Sequence, residues 1–199
     1  ELGGGIFVVP VLHERLESAV AVRRALARVV PDAVAVEVPS TLSLVWARAI
    51  DRLPSISVLL YENTAGETIY LPVHPADPAV EASRWARERG LPLACADLDV
   101  DGYADHRDPL PDPYALTRIG LPAYLEAVRR TARPADAQDA RRESAMAFHV
   151  RELADAGASR ILVVTGLRHA DGLRAALGAA QAAPLTPPVR KNVRLVHLH

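Results

Sequence analysis

The sequence predicts an α/β protein with a mainly parallel central sheet and helices on both of its faces. Short apolar segments rich in Val, Ile and Leu alternate with amphipathic segments of helical length along most of the 199-residue chain. Helices of this length between strands are typical of crossover connections in parallel sheets. Because 50% of the residues are hydrophobic, a substantial core is expected. We expect residues 1–199 to form one domain, alone or as part of a larger protein.

The first half of the chain contains segments typical of three strands, one returning strand and two helices. Pro10 favours an edge position, a bulge or a bend for the first strand. Pro31 and Pro54 end the two helices, and Ser40 or Thr41 is expected to cap the second helix. The predicted elements are a strand over 5–12, a helix over 14–29, a strand over 32–39, a helix over 41–53, a strand over 55–62 and a returning strand within 63–73.

The second half begins with a clear helix start. Asp77 has the side chain of a helix cap, Pro78 fits the first helical position, and Gly90 is typical of a helix end. A Pro- and Asp-rich segment over 97–113 predicts a long loop. The other predicted elements are a strand over 91–97, helices around 114–130 and 135–156, a strand over 160–166 followed by a turn and a helix, and a strand over 192–199.

Composition excludes some classes of partner. The formal net charge is −1 and the basic residues are interspersed with acidic ones, so we expect no nucleic-acid partner. The chain contains no apolar run long enough to span a membrane, and we expect no membrane partner. The single cysteine, Cys95, cannot form an internal disulfide, which is typical of a cytoplasmic protein.

Polar side chains follow the predicted strands at their carboxyl ends. In open parallel sheets, ligands bind beyond these ends, so side chains that are far apart in sequence are expected to meet there. Imidazole nitrogens and carboxylate oxygens suit Zn, Mn or Fe, with open positions for a reactive water. The alternative is that strands end in polar residues merely because the chain leaves the core. The strand-end residues are His13, Glu37, Glu62, Asp97 and His169.

Two segments resemble the TraB / erythromycin-esterase / ChaN-like superfamily. The first is "RRESAMAFHVRELADAGASRILVVTGLRHADGL", which is similar to the closing part of that superfamily, and the second is "PDAVAVEV". A third segment, "HPADPAVEASRWARERGLPLACADL", is similar to an uncharacterised branch of it. The residues that match are Arg142, Glu143, Met146, Ala147, Gly166 and His169 in the first segment, and Pro31, Asp32, Val34, Val36 and Glu37 in the second.

The resemblance implies a shared site that consists of His13, Glu37, Arg142 and His169. It also implies activity as a metal-dependent protease or as a macrolide-lactone esterase, or binding of iron or haem. The chain departs from the superfamily in the turn before His13. That turn begins with Gly in the protease branch and with Gly-Glu in the esterase branch, whereas here it reads Pro-Val-Leu-His from Pro10. This departure argues against the esterase reaction, while a metal site remains compatible with it.

Each site residue also has a structural interpretation. His13 is either a ligand or a polar residue at a helix start. Glu37 lies between valines in a strand that should be buried, so it requires a cation or a hydrogen-bond donor. Arg142 either stabilises an oxyanion or serves as the structural partner of Glu37. Glu143 is expected to be a solvated charge on a helix.

The segment "DLDVDGYADHRD" has the spacing of a calcium-binding loop. It follows a predicted strand rather than a helix, so we expect a turn-rich loop over the sheet edge instead. The residues with this spacing are Asp97, Asp99, Asp101, Gly102, Asp105 and Asp108.

The segment "TGLRHADG" combines a turn, a candidate ligand and a candidate cap. Gly166 is expected to allow a sharp turn or a close approach, because it has no Cβ. His169 is then expected to face the crevice, and Asp171 to cap the following helix.

Two functions follow from these patterns. In the first, the protein is a hydrolase in which His13, Glu37 and His169 bind a divalent metal. The metal-bound water then attacks an ester or peptide carbonyl of a small-molecule or peptide substrate, and Arg142 stabilises the oxyanion. In the second, it is a catalytically silent module that binds a protein partner or a second copy of itself.

Overall fold

Two β-sheets form the framework of the computed structural model, which describes residues 3–100, 102, 109–180, 182–185 and 190–198. Short 3₁₀ turns at Ser40–Leu42 and Leu167–His169 lead from strands into helices. The strands and α-helices in chain order are β1 (Ile6–Val11), α1 (Leu16–Val29), β2 (Ala33–Pro39), α2 (Ser43–Ile50), β3 (Ser57–Glu62), β4 (Thr68–Val73), α3 (Pro78–Glu88), β5 (Leu93–Asp97), α4 (Ala115–Arg129), α5 (Ala137–Asp155), β6 (Ile161–Gly166), α6 (Ala170–Leu177) and β7 (Lys191–His197).

The larger sheet is parallel and has the strand order β1-β6-β2-β5. Its side chains alternate between two helical layers, as the pleat of a strand requires. In β2, Val34 and Val36 belong to the core cluster that includes residues of α1 and α3. Ala33 and Ala35 belong to the cluster that includes residues of α5 and α6. The predicted parallel sheet with helices on both faces is therefore confirmed, and Pro10 lies in an edge strand as expected.

The smaller sheet is antiparallel and has the order β4-β3-β7. A turn closed by Asn63, whose side chain accepts from the Glu67 amide at 2.8 Å, returns the chain directly from β3 to β4. The third strand therefore does not join the parallel sheet. Glu62 therefore ends a strand of the antiparallel sheet and not of the parallel one. Its carboxylate accepts from Asn192 of β7 at 2.7 Å. Its inclusion among the residues expected to converge was wrong.

The helix ends agree only in part with the sequence prediction. Asp77 caps α3 as predicted, because its carboxylate accepts from the amides of Ala79 and Val80 at 2.8 and 3.1 Å. The predicted cap of α2 was wrong, since no side chain caps that helix and Thr41 instead donates to Asp99. The helix predicted around 114–130 is interrupted at Gly120, which has a φ of 77°.

Among the helices of the described ranges, none is both long enough and apolar enough to cross a membrane.

Candidate active site

The carboxyl ends of the four parallel strands meet at one end of the sheet, and the predicted site residues converge there. His13 follows β1, Glu37 lies in β2, and His169 lies in the turn after β6. The His13 Nε2 atom is 3.7 Å from Glu37 Oε2, and the His169 Nε2 atom is 3.6 Å from Glu37 Oε1. Arg142 reaches the same place from α5. All four residues that the resemblance implies therefore come together.

The Arg142 guanidinium is the centre of the site. Its Nη2 atom donates to Glu37 Oε1 at 2.7 Å. Its Nε and Nη2 atoms donate to the two oxygens of Asp97 at 2.9 and 2.8 Å, which is a bidentate pair. Its Nη1 atom is 2.9 Å from His169 Nε2. These contacts favour the interpretation of Arg142 as the structural partner of Glu37, and they add Asp97 to the site.

The second oxygen of Glu37 is held by the neighbouring strand β6. Thr165 Oγ1 donates to Glu37 Oε2 at 2.8 Å, and the Gly166 amide donates to the same oxygen. Burial alone would raise the pKa of Glu37, but the adjacent His13 and the other positive charges around it hold that pKa well below the usual 4.5. Glu37 is therefore a buried, ionised carboxylate that lies between the Arg142 guanidinium and the His13 imidazole.

Gly166 is closely approached by the side chains of Glu37 and His13. Its φ is −56°, which any residue can adopt, so the turn does not depend on a left-handed backbone. A Cβ at this position would lie 3.3 Å from both Glu37 Oε2 and His13 Nε2. The close-approach part of the prediction for Gly166 is thus supported, and the chain leaves β6 without a positive φ.

Glu143 fixes the orientation of His169. A guanidinium has no acceptor, so His169 Nε2 must accept from Arg142 and the ring proton must lie on Nδ1. That Nδ1 is 3.1 Å from Glu143 Oε1, and both side chains are buried. The interpretation of Glu143 as a solvated helix charge was wrong. Gly172 provides the space, because a Cβ there would overlap the Glu143 carboxylate.

His13 is the accessible part of this site. Its side chain is 42% exposed, whereas that of Glu37 is 7% exposed. Burial of the ring lowers the pKa of His13, but contact with Glu37 and the negative charges of Glu37 and Asp77 outweigh it and raise the pKa from 6.5 to about 9. His13 lies in the turn before α1, which begins at Leu16, so it is not the first residue of a helix.

A cavity of about 250 Å³ opens over His13 and Glu37. Arg142 and His169 also line it, so the buried network forms its floor. Its apolar lining includes Leu12, Leu110, Val128 and Leu167. A small ligand in this cavity would contact the His13 imidazole and apolar side chains together.

The donor atoms of the site do not fit the predicted divalent metal. Both Glu37 oxygens accept from Arg142, Thr165 and Gly166, and His169 Nε2 accepts from Arg142. A metal ion would have to replace the guanidinium, whose positive charge would repel it at this distance. Within the ranges that the structure describes, no group of three or more His, Cys, Asp and Glu side chains has the geometry of a metal site.

The calcium-loop spacing is only partly within the described residues. Asp97 binds Arg142, and Asp99 forms a buried ion pair with Arg190. These two carboxylates are therefore engaged by arginines. Residues 101, 105 and 108, which carry the other carboxylates of the motif, lie outside the described residues.

Asp171 has a structural contact that differs from the predicted one. It lies in the first turn of α6, but no side-chain cap is present there. Its carboxylate instead accepts two hydrogen bonds from Arg129, each at 2.8 Å. The prediction of a helix cap was wrong.

Sequence reasoning missed Thr165 and Asp139. Thr165 is the single hydroxyl residue in the fully buried strand β6, and a lone polar residue in such a strand is a signal for a buried partner. Asp139 is buried and lies within 3.4 Å of both Arg133 and Arg168 at the edge of the cavity. Its signal was the capping-box spacing with Asp136, which the structure contains.

Comparisons with protein-family models, with curated proteins and with solved structures found no match to this chain.

Proposed function

We propose that the protein is a hydrolase that cleaves ester or peptide bonds with His13 as its acid–base residue. One observation carries this proposal: the 42% exposed imidazole of His13 lies against the buried, ionised carboxylate of Glu37, at the floor of a cavity. An accessible imidazole with a buried carboxylate behind it is a recurring arrangement in general acid–base catalysis. The superfamily resemblance supports the same class of reaction.

The neutral form of His13 accepts a proton from water as that water attacks the carbonyl carbon of the substrate. Glu37 stabilises the imidazolium that forms, because its negative charge lies 3.7 Å from Nε2. The tetrahedral intermediate then collapses, and His13 returns the proton to the leaving oxygen or nitrogen. Arg142, Thr165 and the Gly166 amide keep Glu37 ionised and in place throughout.

The cavity favours a small substrate with an apolar group beside the scissile bond. Its volume of about 250 Å³ is below the usual range for drug-sized ligands, which begins at roughly 300 Å³. Leu12 and Leu167 would contact the apolar group while His13 faces the carbonyl. Small esters and short peptides have this chemistry.

A catalytically silent binding module is the second candidate. The saturation of the network supports it, since Glu37, Arg142 and His169 satisfy one another without a ligand. In that case the network is a structural element of the sheet end, and the cavity binds a small molecule or a peptide side chain without turnover.

Turnover of chromogenic substrates distinguishes the two candidates. We expect hydrolysis of p-nitrophenyl acetate or butyrate, or of alanine p-nitroanilide, and we expect His13→Asn to reduce kcat by about 100-fold or more. His149→Asn is the matched control, because His149 lies in α5 and contacts Glu152 rather than the network. Turnover no faster than the uncatalysed reaction would refute the hydrolase and favour the binding module, and equal turnover by the wild-type protein and His13→Asn would refute the acid–base role of His13.

The metal-dependent version of the reaction has its own test. Metal content is measured on protein purified without chelator, for the wild type and for His169→Ala. The ligand atoms of Glu37 and His169 are already hydrogen-bonded to Arg142. We therefore expect much less than one metal ion per chain in the wild type and in His169→Ala. A stoichiometric metal that is lost in His169→Ala would establish the metal-dependent hydrolase instead.

A further inference from the structure

The turn that carries His13 is held at both ends by buried side chains. Before His13, the Leu12 amide donates to Ser18 Oγ at 3.0 Å. After His13, the Glu14 amide donates to Asp77 Oδ2 at 2.9 Å. Ser18 is 1% exposed and Asp77 is 7% exposed, so neither acceptor is replaced easily by water. The two amides that flank His13 therefore have fixed partners.

The backbone of this turn needs such support. Glu14 has a φ of 56°, in the left-handed region that residues other than glycine adopt only rarely. The helix that follows has no side-chain cap at Arg15. The hydrogen bond to Asp77 is made by the amide of Glu14 itself, the residue with the unfavourable backbone angle.

Asp77 performs two separate tasks with its two oxygens. Oδ1 accepts from the amides of Ala79 and Val80 and so caps α3, as the sequence predicted. Oδ2 accepts from Glu14 in a segment 63 residues earlier in the chain. Because α3 packs against β2 and α1 in the core, Asp77 connects the His13 turn to a rigid part of the fold.

We propose that Asp77 is a positioning residue for His13, which it holds over Glu37 through the Glu14 amide. This inference rests on the proposed function, because it gives His13 the acid–base role. Loss of the contact would let the turn relax and move the imidazole away from Glu37. A misplacement of about 1 Å at a reacting group costs up to roughly 100-fold in rate.

The variant Asp77→Asn separates the two tasks of the side chain. Its amide oxygen can still accept from Ala79 and Val80, whereas its NH₂ group cannot accept from Glu14. The matched control is Asp136→Asn, because Asp136 caps α5 in the same way and accepts from Gln138 and Asp139 at 2.8 and 2.9 Å. The contacts of Asp136 are with the start of α5 and with Arg133.

Three measurements compare Asp77→Asn and Asp136→Asn with the wild-type protein. In Asp77→Asn, we expect the Glu14 amide to exchange with solvent about tenfold faster, the size of one lost hydrogen bond. We expect the His13 ring signals in the NMR spectrum to shift. The pKa of His13 is about 9, so the rate is measured at a pH about 1.5 units higher, where the imidazole is almost fully neutral. There, kcat of Asp77→Asn should fall about 10- to 100-fold with KM unchanged within about twofold. Asp136→Asn should leave all three unchanged.

The outcomes separate this inference from the proposed function. Unchanged Glu14 exchange and unchanged His13 signals in Asp77→Asn would overturn the positioning role, whatever the activity. Faster exchange with shifted His13 signals would support it even if the wild-type protein hydrolyses none of the substrates, and only the proposed function would then fail. If Asp77→Asn does not fold, Asp77→Ser keeps one oxygen to cap α3 but has no second oxygen for the Glu14 amide, and unaltered His13 signals there would overturn the inference.

Discussion

Arg142 and Asp97 form a buried bidentate ion pair, in which Nε is 2.9 Å from Oδ1 and Nη2 is 2.8 Å from Oδ2. This pair orients the guanidinium so that Nη2 also donates to Glu37. Burial raises the pKa of Asp97, and its hydrogen bonds with Arg142 oppose that effect. Asp97 and Glu37 therefore share one guanidinium as a hydrogen-bond donor and positive partner.

Replacement of Arg142 should strongly destabilise the protein. In Arg142→Met, Asp97 loses its bidentate partner, and Glu37 keeps only the more distant imidazolium of His13 at 3.7 Å. Removal of one partner from such a buried network typically costs about 3–5 kcal/mol. Urea unfolding measures this loss. Arg87→Met is the control, because Arg87 pairs with Asp51 at 2.6 Å where both side chains are about half exposed, and an exposed pair contributes at most about 1 kcal/mol. Equal losses in the two variants would contradict the role of Arg142.

Replacement of Glu37 tests the same network from its anionic side. Glu37→Gln keeps the shape of the side chain but replaces one acceptor oxygen with an NH₂ group. That NH₂ group would face either Arg142 or the pair formed by Thr165 and the Gly166 amide. All three of these groups are donors, so at least one hydrogen bond is lost. We expect folded protein by circular dichroism, a loss of about 1–3 kcal/mol in unfolding free energy, and the disappearance of hydrolysis. Retained activity and unchanged stability together would show that Glu37 has no part in the site.

Much of this site could be predicted from residue type and strand order alone. Glu37 between valines in a strand, and His13 and His169 after strands, indicated a common crevice because parallel strands present their carboxyl ends together. The same reasoning was wrong for Glu62, because whether a strand joins a parallel or an antiparallel sheet depends on its return connection. The short turn at Asn63 made β3 and β4 an antiparallel pair.

The cation of Glu37 was harder to predict. The sequence indicated that a buried carboxylate requires a positive partner, but a guanidinium from α5 and a metal ion meet that requirement equally well. The choice depends on how far Arg142 extends across the sheet end, which is a property of helix packing rather than of residue type. Glu143 was misassigned for the same reason, since Gly172 in α6 determines that its carboxylate is buried.

Stability should decrease with pH as His13 loses its proton. Its pKa is raised from 6.5 to about 9 in the folded protein, so its contribution is complete below pH 6.5 and is lost as the pH rises through about 9. Because the side chain is 42% exposed, solvent screens the interaction and we expect a change of about 1 kcal/mol or less.

The measurement is urea unfolding at pH 6 and pH 9 for the wild type and for His13→Asn. Cys95, whose pKa burial raises to about 12, also contributes near pH 9 through its ionisation in the unfolded state, but it is present in both proteins and its contribution cancels in the comparison. The wild type should lose more stability than His13→Asn between the two pH values. An identical loss in both proteins would contradict the raised pKa of His13.

Loss of Asp171 should affect stability only slightly. The pair with Arg129 has side chains that are 60% and 49% exposed, and such pairs contribute about 0.2–1 kcal/mol. Asp171→Ala, Arg129→Ala and the double variant form a thermodynamic cycle that measures this contribution by thermal unfolding. Activity should remain unchanged in all three. If Asp171→Ala alone lowers the unfolding free energy by more than about 1.5 kcal/mol, the ion pair cannot account for the loss. Asp171 would then also stabilise the first turn of α6.

The protonation site of His169 should be set by Glu143. Nitrogen-15 NMR on labelled protein is expected to show the ring proton on Nδ1, because Nε2 faces Arg142 and Nδ1 faces Glu143. Glu143→Gln keeps an oxygen acceptor and fits beside Gly172, so the same tautomer should persist. Glu143→Ala leaves a buried N–H without an acceptor, which costs about 1–3 kcal/mol and should allow the ring to rotate or change tautomer. A wild-type spectrum with the proton on Nε2 would mean that Arg142 does not donate to His169, and the network would then lose this one of its links between α5 and the turn after β6.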